Sequence, residues 1–99
     1  MFAIIYRFQI KSEKEKAFMV AWEEVTRALM EHCGGLGSRL HQSSEREFIA
    51  YAQWPSREVR DAALLPEAIR NGPSRRMREC CDRLETLYEM DVVTDLLVK

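Results

Sequence analysis

Phe2, Ile4, Tyr6, Phe8 and Ile10 alternate with Ala3, Ile5, Arg7 and Gln9, a pattern that predicts a first strand with one strongly apolar face and one mixed face. Ser12-Glu13-Lys14-Glu15 follows and reads as a capping box, with the Ser12 hydroxyl accepting from the Glu15 amide, so a helix is expected from Glu13. Its apolar stripe runs Phe18, Trp22, Val25, Leu29, broadened by Met19, Thr26, Met30 and Cys33. Gly34 and Gly35 should stop it in the left-handed geometry that glycine tolerates best.

A second strand is expected over 36–42, polar enough for a sheet edge, with a hairpin turn over 43–46. The third strand, 47–54, places Phe48, Ala50, Ala52 and Trp54 on one side and Ile49, Tyr51 and Gln53 on the other. Apolar or aromatic matter on both sides marks it as central. Pro55 lacks a backbone donor and ends the ladder, and Ser56 is placed to cap a helix through Arg57, Glu58 and Val59, with Val59, Ala62 and Ala63 inward. Pro66 should open a second helical piece. The run Asn71-Gly72-Pro73-Ser74 then breaks the pattern, with Ser74 capping a last helix that carries Met77, Cys80, Cys81 and Leu84. A fourth strand is expected over 86–93, and 95–99 is an apolar tail able to continue it.

Strand, helix, strand, strand, broken helix, strand is the α+β, ferredoxin-like βαββαβ order. Right-handed crossovers then put the helices on one face of a four-stranded antiparallel sheet. The second face carries Ile5, Ile49 and Tyr51 with no cover of its own. An apolar sheet face of that size marks an interface, and a twofold pair of chains is the commonest solution, so a homodimer is expected.

Composition narrows the function classes. At 99 residues, 46% hydrophobic and 31% charged, the chain is expected to form one domain over 1–99, without repeats or linkers. A net charge of -1 argues against a nucleic-acid partner. No apolar run approaches the roughly 18 residues of a membrane span, and the first residues enter a strand rather than a signal segment, so no membrane partner and a cytoplasmic location are expected. Cys33, Cys80 and Cys81 form no CxxC pair and suit a reducing compartment, as core or half-buried thiols. The alternative is a metal site drawing on His32, Cys33, His41 and the vicinal pair. Adjacent cysteines on a helix point about 100° apart, which disfavours joint chelation, so no metal is expected.

The first strand Phe-Ala-Ile-Ile-Tyr-Arg-Phe-Gln-Ile, the Glu-Lys-Ala-Phe and Ala-Trp of the first helix, Gly-Gly-Leu-Gly-Ser, and Tyr-Ala-Gln-Trp-Pro-Ser together resemble the antibiotic biosynthesis monooxygenase (ABM) domain family. The resemblance implies a dimeric α+β barrel and a superfamily that includes cofactor-independent oxygenases of quinols and polyketide aromatics, as well as haem-degrading enzymes. The haem-degrading members use an asparagine on the first strand and a histidine in the second helical region. This chain has Tyr6 near the first position and no histidine after His41, so haem degradation is disfavoured.

A cofactor-free oxygenase of that kind must deprotonate a dihydroxyaromatic or anthrone, stabilise the anion and hold it with dioxygen in a dry apolar pocket. No cofactor is then expected, and the partner is a small aromatic molecule. The candidate proton acceptors are His41, whose imidazole titrates near neutrality, and Tyr6. The candidate substrate contacts are Trp54, Trp22, Arg39, Tyr51 and Phe18. Each has a plainer rival: core packing for Trp22, Trp54 and above all Phe18, a structural hydrogen bond for Tyr6, a solvated edge for Arg39 and His41, and the subunit interface for Tyr51. His32 at the helix end suits the dipole. The arginine-rich stretch Arg75, Arg76, Arg78, Arg83 is broken by Glu79, Asp82 and Glu85 and reads as a solvated face. Two functions follow: a small monooxygenase of a quinol-type metabolite, or a noncatalytic dimeric ligand-binding or stress-related module of the same fold.

Overall fold

The period-2 segments pair into one four-stranded antiparallel sheet in a computed structural model that describes residues 1–98. The order along the chain is β1 (Phe2–Ile10), α1 (Glu15–Cys33), β2 (Gly37–Ser44), β3 (Glu47–Trp54), α2 (Arg57–Asp61), α3 (Glu67–Ile69), a π turn (Arg70–Ser74), α4 (Arg75–Glu79) and β4 (Cys81–Asp91). Across the sheet the strands run β2-β3-β1-β4, the ferredoxin-like arrangement expected from the element order. The expected central position of β3 holds, and β1 is central with it, so the two most apolar strands occupy the middle.

Register decides which side chains share a face. Tyr6 lies opposite Ala50, Phe8 opposite Phe48 and Phe2 opposite Trp54, which puts all of them on the helix side. Phe8, Phe18 and Phe48 stack there with ring centroids 4.9 and 5.2 Å apart and, with Ile10 and Cys80, form one core cluster. Phe2, Ile4 and Trp54 form a second cluster, and Tyr6 packs against both. Ile5, Arg7, Ile49 and Tyr51 fall on the other, open face, joined by Tyr88 and Met90 of β4. Tyr88 is 62% exposed there.

Several boundaries differ from the sequence pattern for local reasons. The Ser12 capping box does not form: the Lys14 amide donates to the Lys11 carbonyl at 3.1 Å, Glu13 takes φ +65°, and α1 starts at Glu15 with no side-chain cap. A left-handed turn position occupied by a side chain is strained. Glu13→Gly is therefore expected to stabilise the fold by roughly 0.5–1 kcal/mol, read as a higher thermal midpoint. At its other end α1 stops as expected, with Gly34 at φ +77° and the Gly35 amide donating to the Leu29 carbonyl at 3.1 Å.

Ser56 caps α2 as expected, its hydroxyl accepting from the Val59 amide at 3.1 Å. Ser74 does not cap: it is buried in helical geometry inside the π turn, and the chain stays helical from Glu67 to Glu79. The wider turn accommodates Pro73, which has no donor to offer. β2 begins one residue late and runs two further, and β4 begins at Cys81 rather than at 86. Cys81 and Leu84 thus leave the helix for the sheet, where they lie opposite Ile10 and Phe8, because pairing along the whole of β1 outweighs a short helical spacing. The tail does not extend the strand past Asp91; Val92 donates to the Met1 carbonyl at 2.9 Å, and Leu96 is exposed. Lys99, the last residue of the expected tail, lies outside the described residues. No helix among the described residues is long and apolar enough to cross a membrane.

Candidate functional site

The inner face of β3 alternates large, small, small, large: Phe48, Ala50, Ala52, Trp54. The two methyl side chains leave a hollow between the bulky ones, and α1 spans it without filling it. The result is a cavity of about 220 Å³ between helix and sheet. Tyr6, Ala50, Ala52 and Trp54 form its sheet wall; Trp22, Val25, Leu29 and Met30 form its helix wall. Phe8, Thr26, Met77 and Leu84 also border it, and Gly35, Gly37, Ser38 and Gln53 line it from the α1–β2 connection and the adjacent strand ends. A Cβ on Gly35 would lie 3.6 Å from Cη2 of Trp54, so the indole reaches to the backbone at that end.

Polar groups in this lining are few. Ser38 donates from its hydroxyl to the Tyr51 carbonyl at 2.9 Å, which leaves its oxygen able to accept. The Gln53 side chain turns instead to the open face, where its amide donates to the Tyr51 hydroxyl at 3.4 Å. The Tyr6 hydroxyl is the leading cause that holds the guanidinium of Arg60, on α2, above the ordinary arginine range. Arg60 also pairs with Asp61 and with Glu89, each at 3.3 Å, and Glu89 is shared with Arg57 at 3.4 Å. Arg57 in turn lies over the Phe2 ring, 4.4 Å from its centroid. Arg60 is thus itself held by two carboxylates.

The structure divides the seven expected site residues into three groups. Tyr6, Trp22 and Trp54 come together around the cavity. Phe18 is fully buried among Phe8 and Phe48 and does not line it, so the packing reading describes its place. Arg39, His41 and Tyr51 share the open face, Arg39 opposite Tyr51 and His41 opposite Ile49. His41 is exposed, and its Nδ1 donates to the Ile49 carbonyl at 3.1 Å. The sheet itself separates it from Tyr6, because β2 and β3 pair in a register that turns odd-numbered β2 residues away from the helices. Sequence reasoning missed Ala50 and Ala52 as the makers of the hollow, although two short residues between Phe48 and Trp54 were a readable signal. It also missed Arg60, which no spacing in the chain links to Tyr6.

Other chemistry-bearing groups lie elsewhere. Arg7 donates from Nε and Nη2 to the same oxygen of Glu85 at 3.2 and 2.8 Å on the open face, and this bond leads the causes that hold the Glu85 carboxyl below the usual range. No cluster of three or more metal-ligating side chains occurs among the described residues. Cys81 donates to the Met77 carbonyl at 3.3 Å, and burial, then the neighbouring Cys80, pushes its thiol from the ordinary 9.0 up to about 11. A thiol raised on folding stabilises the native state below the unfolded value and loses that contribution as pH climbs through the folded one. Cys81→Ala is accordingly expected to show a shallower fall in urea midpoint than the parent between pH 9 and pH 11.

The sequence profile of the family described as "Antibiotic biosynthesis monooxygenase" matches residues 1–70. No curated protein sequence matches the chain. Among solved structures, SnoaB, a cofactor-independent oxygenase from Streptomyces nogalater, superposes with a TM-score of 0.78 at 12% identity, covering 96% of this chain and 95% of SnoaB. A structure described as an antibiotic biosynthesis monooxygenase gives 0.74 at 18% identity over 95% of this chain and 100% of its own. A protein of unknown function from Nitrosomonas europaea gives 0.75 at 12% identity over 99% and 94%. At such identities these likenesses establish the fold.

Proposed function

The chain belongs to the antibiotic biosynthesis monooxygenase family, and from that premise we propose that it is a cofactor-independent monooxygenase of an aromatic quinol- or anthrone-type metabolite. The observation that carries the reading is the cavity itself: an open apolar hollow with aromatic walls and a tyrosine in its lining. The fold shared with SnoaB, an oxygenase that works without a cofactor, supports it. A core filled between α1 and β3 would have favoured the noncatalytic module instead.

The reaction can be balanced without an external reductant. An anthrone ionises to an electron-rich anion and reduces dioxygen; its ring methylene gives up two hydrogens and gains one oxygen as a carbonyl, and the other oxygen leaves as water. The protein's tasks are to bind the flat ring, favour its anion and limit competing water. Trp54 and Trp22 supply aromatic walls, and Tyr6 is placed to meet the ionising oxygen. His41, on the open face, takes no part in this reading.

Oxygen uptake across a panel of hydroquinones and anthrones tests the proposal. Substrate-dependent uptake is expected, and Ala52→Leu, which puts a branched side chain into the hollow, is expected to lower kcat/KM at least tenfold with the thermal midpoint nearly unchanged. Uptake absent across the whole panel, with stoichiometric binding of the same aromatics retained, would sink the monooxygenase reading and favour the noncatalytic module.

The open face is proposed to be covered by a second copy of the chain, as the resemblance implied. Ile5, Ile49, Tyr51, Tyr88 and Met90 lie there without helical cover, and Arg7 and Glu85 neutralise each other within the patch. Sedimentation at micromolar concentration is expected to give twice 11.6 kDa, and a stable species of 11.6 kDa would remove the dimer.

A further inference from the structure

Ser38 is a half-buried residue of the cavity lining, on the helix-facing side of β2. Its proton is already committed, because Oγ donates to the Tyr51 carbonyl at 2.9 Å and that carbonyl can only accept. What remains on Oγ is lone pairs, so any partner it meets in the cavity must bring the hydrogen. Register leaves room beside it. Ser38 lies opposite Ala52, whose methyl is too short to cover it, and Tyr6 lies opposite Ala50, two residues away on β3 and on its other flank. The pair of alanines thus has a hydroxyl-bearing residue at each of two diagonal corners. From strand separation and rise, the Cα atoms of Ser38 and Tyr6 are about 12 Å apart, a span that a flat two-ring molecule and its polar substituents can bridge above the methyls. Trp22, Leu29, Met30 and Trp54 surround this floor, so a ligand hydroxyl held there has few acceptors to choose from.

We infer that Ser38 is a substrate-binding residue that accepts a hydrogen bond from a second hydroxyl of the ligand, so that the site favours dihydroxylated aromatics over their monohydroxylated counterparts. The assignment rests on the proposed reading of the cavity as the substrate site, and it narrows that substrate to the quinol class. Tyr6 takes the oxygen that ionises, and Ser38 takes the one that stays protonated. An acceptor with no proton to give cannot bond an anion, so ionisation is directed to the Tyr6 corner. A carbonyl at the Ser38 corner would set lone pairs against lone pairs, which ranks an anthrone below a quinol.

Binding decides the matter separately from oxygen uptake. The probes are 1,5-dihydroxynaphthalene, 1-naphthol and 5-amino-1-naphthol, which share a ring system and differ in the second substituent, titrated calorimetrically under nitrogen near neutral pH. The parent is expected to bind the diol roughly three- to tenfold more tightly than 1-naphthol, the worth of one hydrogen bond. The aminonaphthol, which also carries a donor at the second position, should keep most of that advantage. Ser38→Ala should remove it while leaving the affinity for 1-naphthol within about twofold of the parent. A purely structural role, through the bond to the Tyr51 carbonyl, would weaken all three probes alike and leave their ratios where they were. The inference is overturned by a parent that binds the diol and 1-naphthol equally, by an advantage that the aminonaphthol does not share, by one that survives in Ser38→Ala, or by failure of the parent to bind any of the three. Oxygen uptake that fails while the binding ratios hold would remove the monooxygenase proposal and leave Ser38 assigned. Uptake that succeeds while Ser38→Ala leaves the ratios unchanged would remove this assignment alone.

Discussion

Phe18→Ala is expected to lower the stability of the chain by about 3–5 kcal/mol, the cost of emptying a fully buried phenylalanine site in a close-packed core. Phe18 has no exposed surface, and its ring is held between those of Phe8 and Phe48 at 4.9 and 5.2 Å. These rings tie α1 to the two central strands, so neighbouring side chains on three elements would lose contact at once. A domain has roughly 5–15 kcal/mol in total, and a loss of this size consumes a large share of it. Urea unfolding should show a much lower midpoint with an unchanged slope, whereas Leu64→Ala, at a residue 70% exposed, should stay within about 0.5 kcal/mol of the parent. A Phe18→Ala midpoint close to that of Leu64→Ala would mean the aromatic stack does not hold the helix down.

Tyr6→Phe carries the largest expected effect on activity: a loss of about a hundredfold or more in kcat/KM for oxygen uptake, the scale seen when a donor to a developing oxyanion is removed. The substitution keeps the ring that packs against both core clusters and deletes only the hydroxyl. The thermal midpoint should move by a few degrees at most. His41→Ala is the matched control, expected to leave kcat/KM within about twofold, because the sheet lies between that imidazole and the cavity and general acid–base help requires hydrogen-bond reach. A large loss in His41→Ala with full activity in Tyr6→Phe would reverse the assignment of the site to the helix side.

Much of the fold was legible because alternation in β1 and β3 is long and strongly apolar, and period 2 over eight or nine residues leaves little room for another reading. The centrality of β3 came from its two greasy faces. What could not be read were features decided by partners distant in sequence. Cys81 and Leu84 carry a spacing that suits a helix, and only the length of β1, more than seventy positions earlier, draws them into a strand. The Ser12 box was a sound local signal that lost to a turn closed by Lys11 and Lys14.

The candidate site was half legible for a related reason. Aromatic residues announce a wall, so Tyr6, Trp22 and Trp54 could be named in advance, but a hollow is made by what is missing, and Ala50 and Ala52 carry no chemistry to attract notice. Arg39 and His41 were drawn in by their functional groups, while the parity of their positions on β2 already assigned them a common face. Which face that was depended on the pairing of Leu40 with Ala50, a register that no short window contains. Arg60 lay beyond reach altogether, since its link to Tyr6 spans the crossover from β3 into α2.

Along β1 and β3, neighbours one residue apart look in opposite directions: Ile5 beside Tyr6, Ile49 beside Ala50, Tyr51 beside Ala52. A single peptide thickness therefore separates the cavity from the face proposed as the subunit seam, and any free energy by which occupancy stiffens that shared partition must be returned by association to the same degree. Titrating an aromatic probe should tighten self-association, and dilution should weaken the probe's hold, by one common factor.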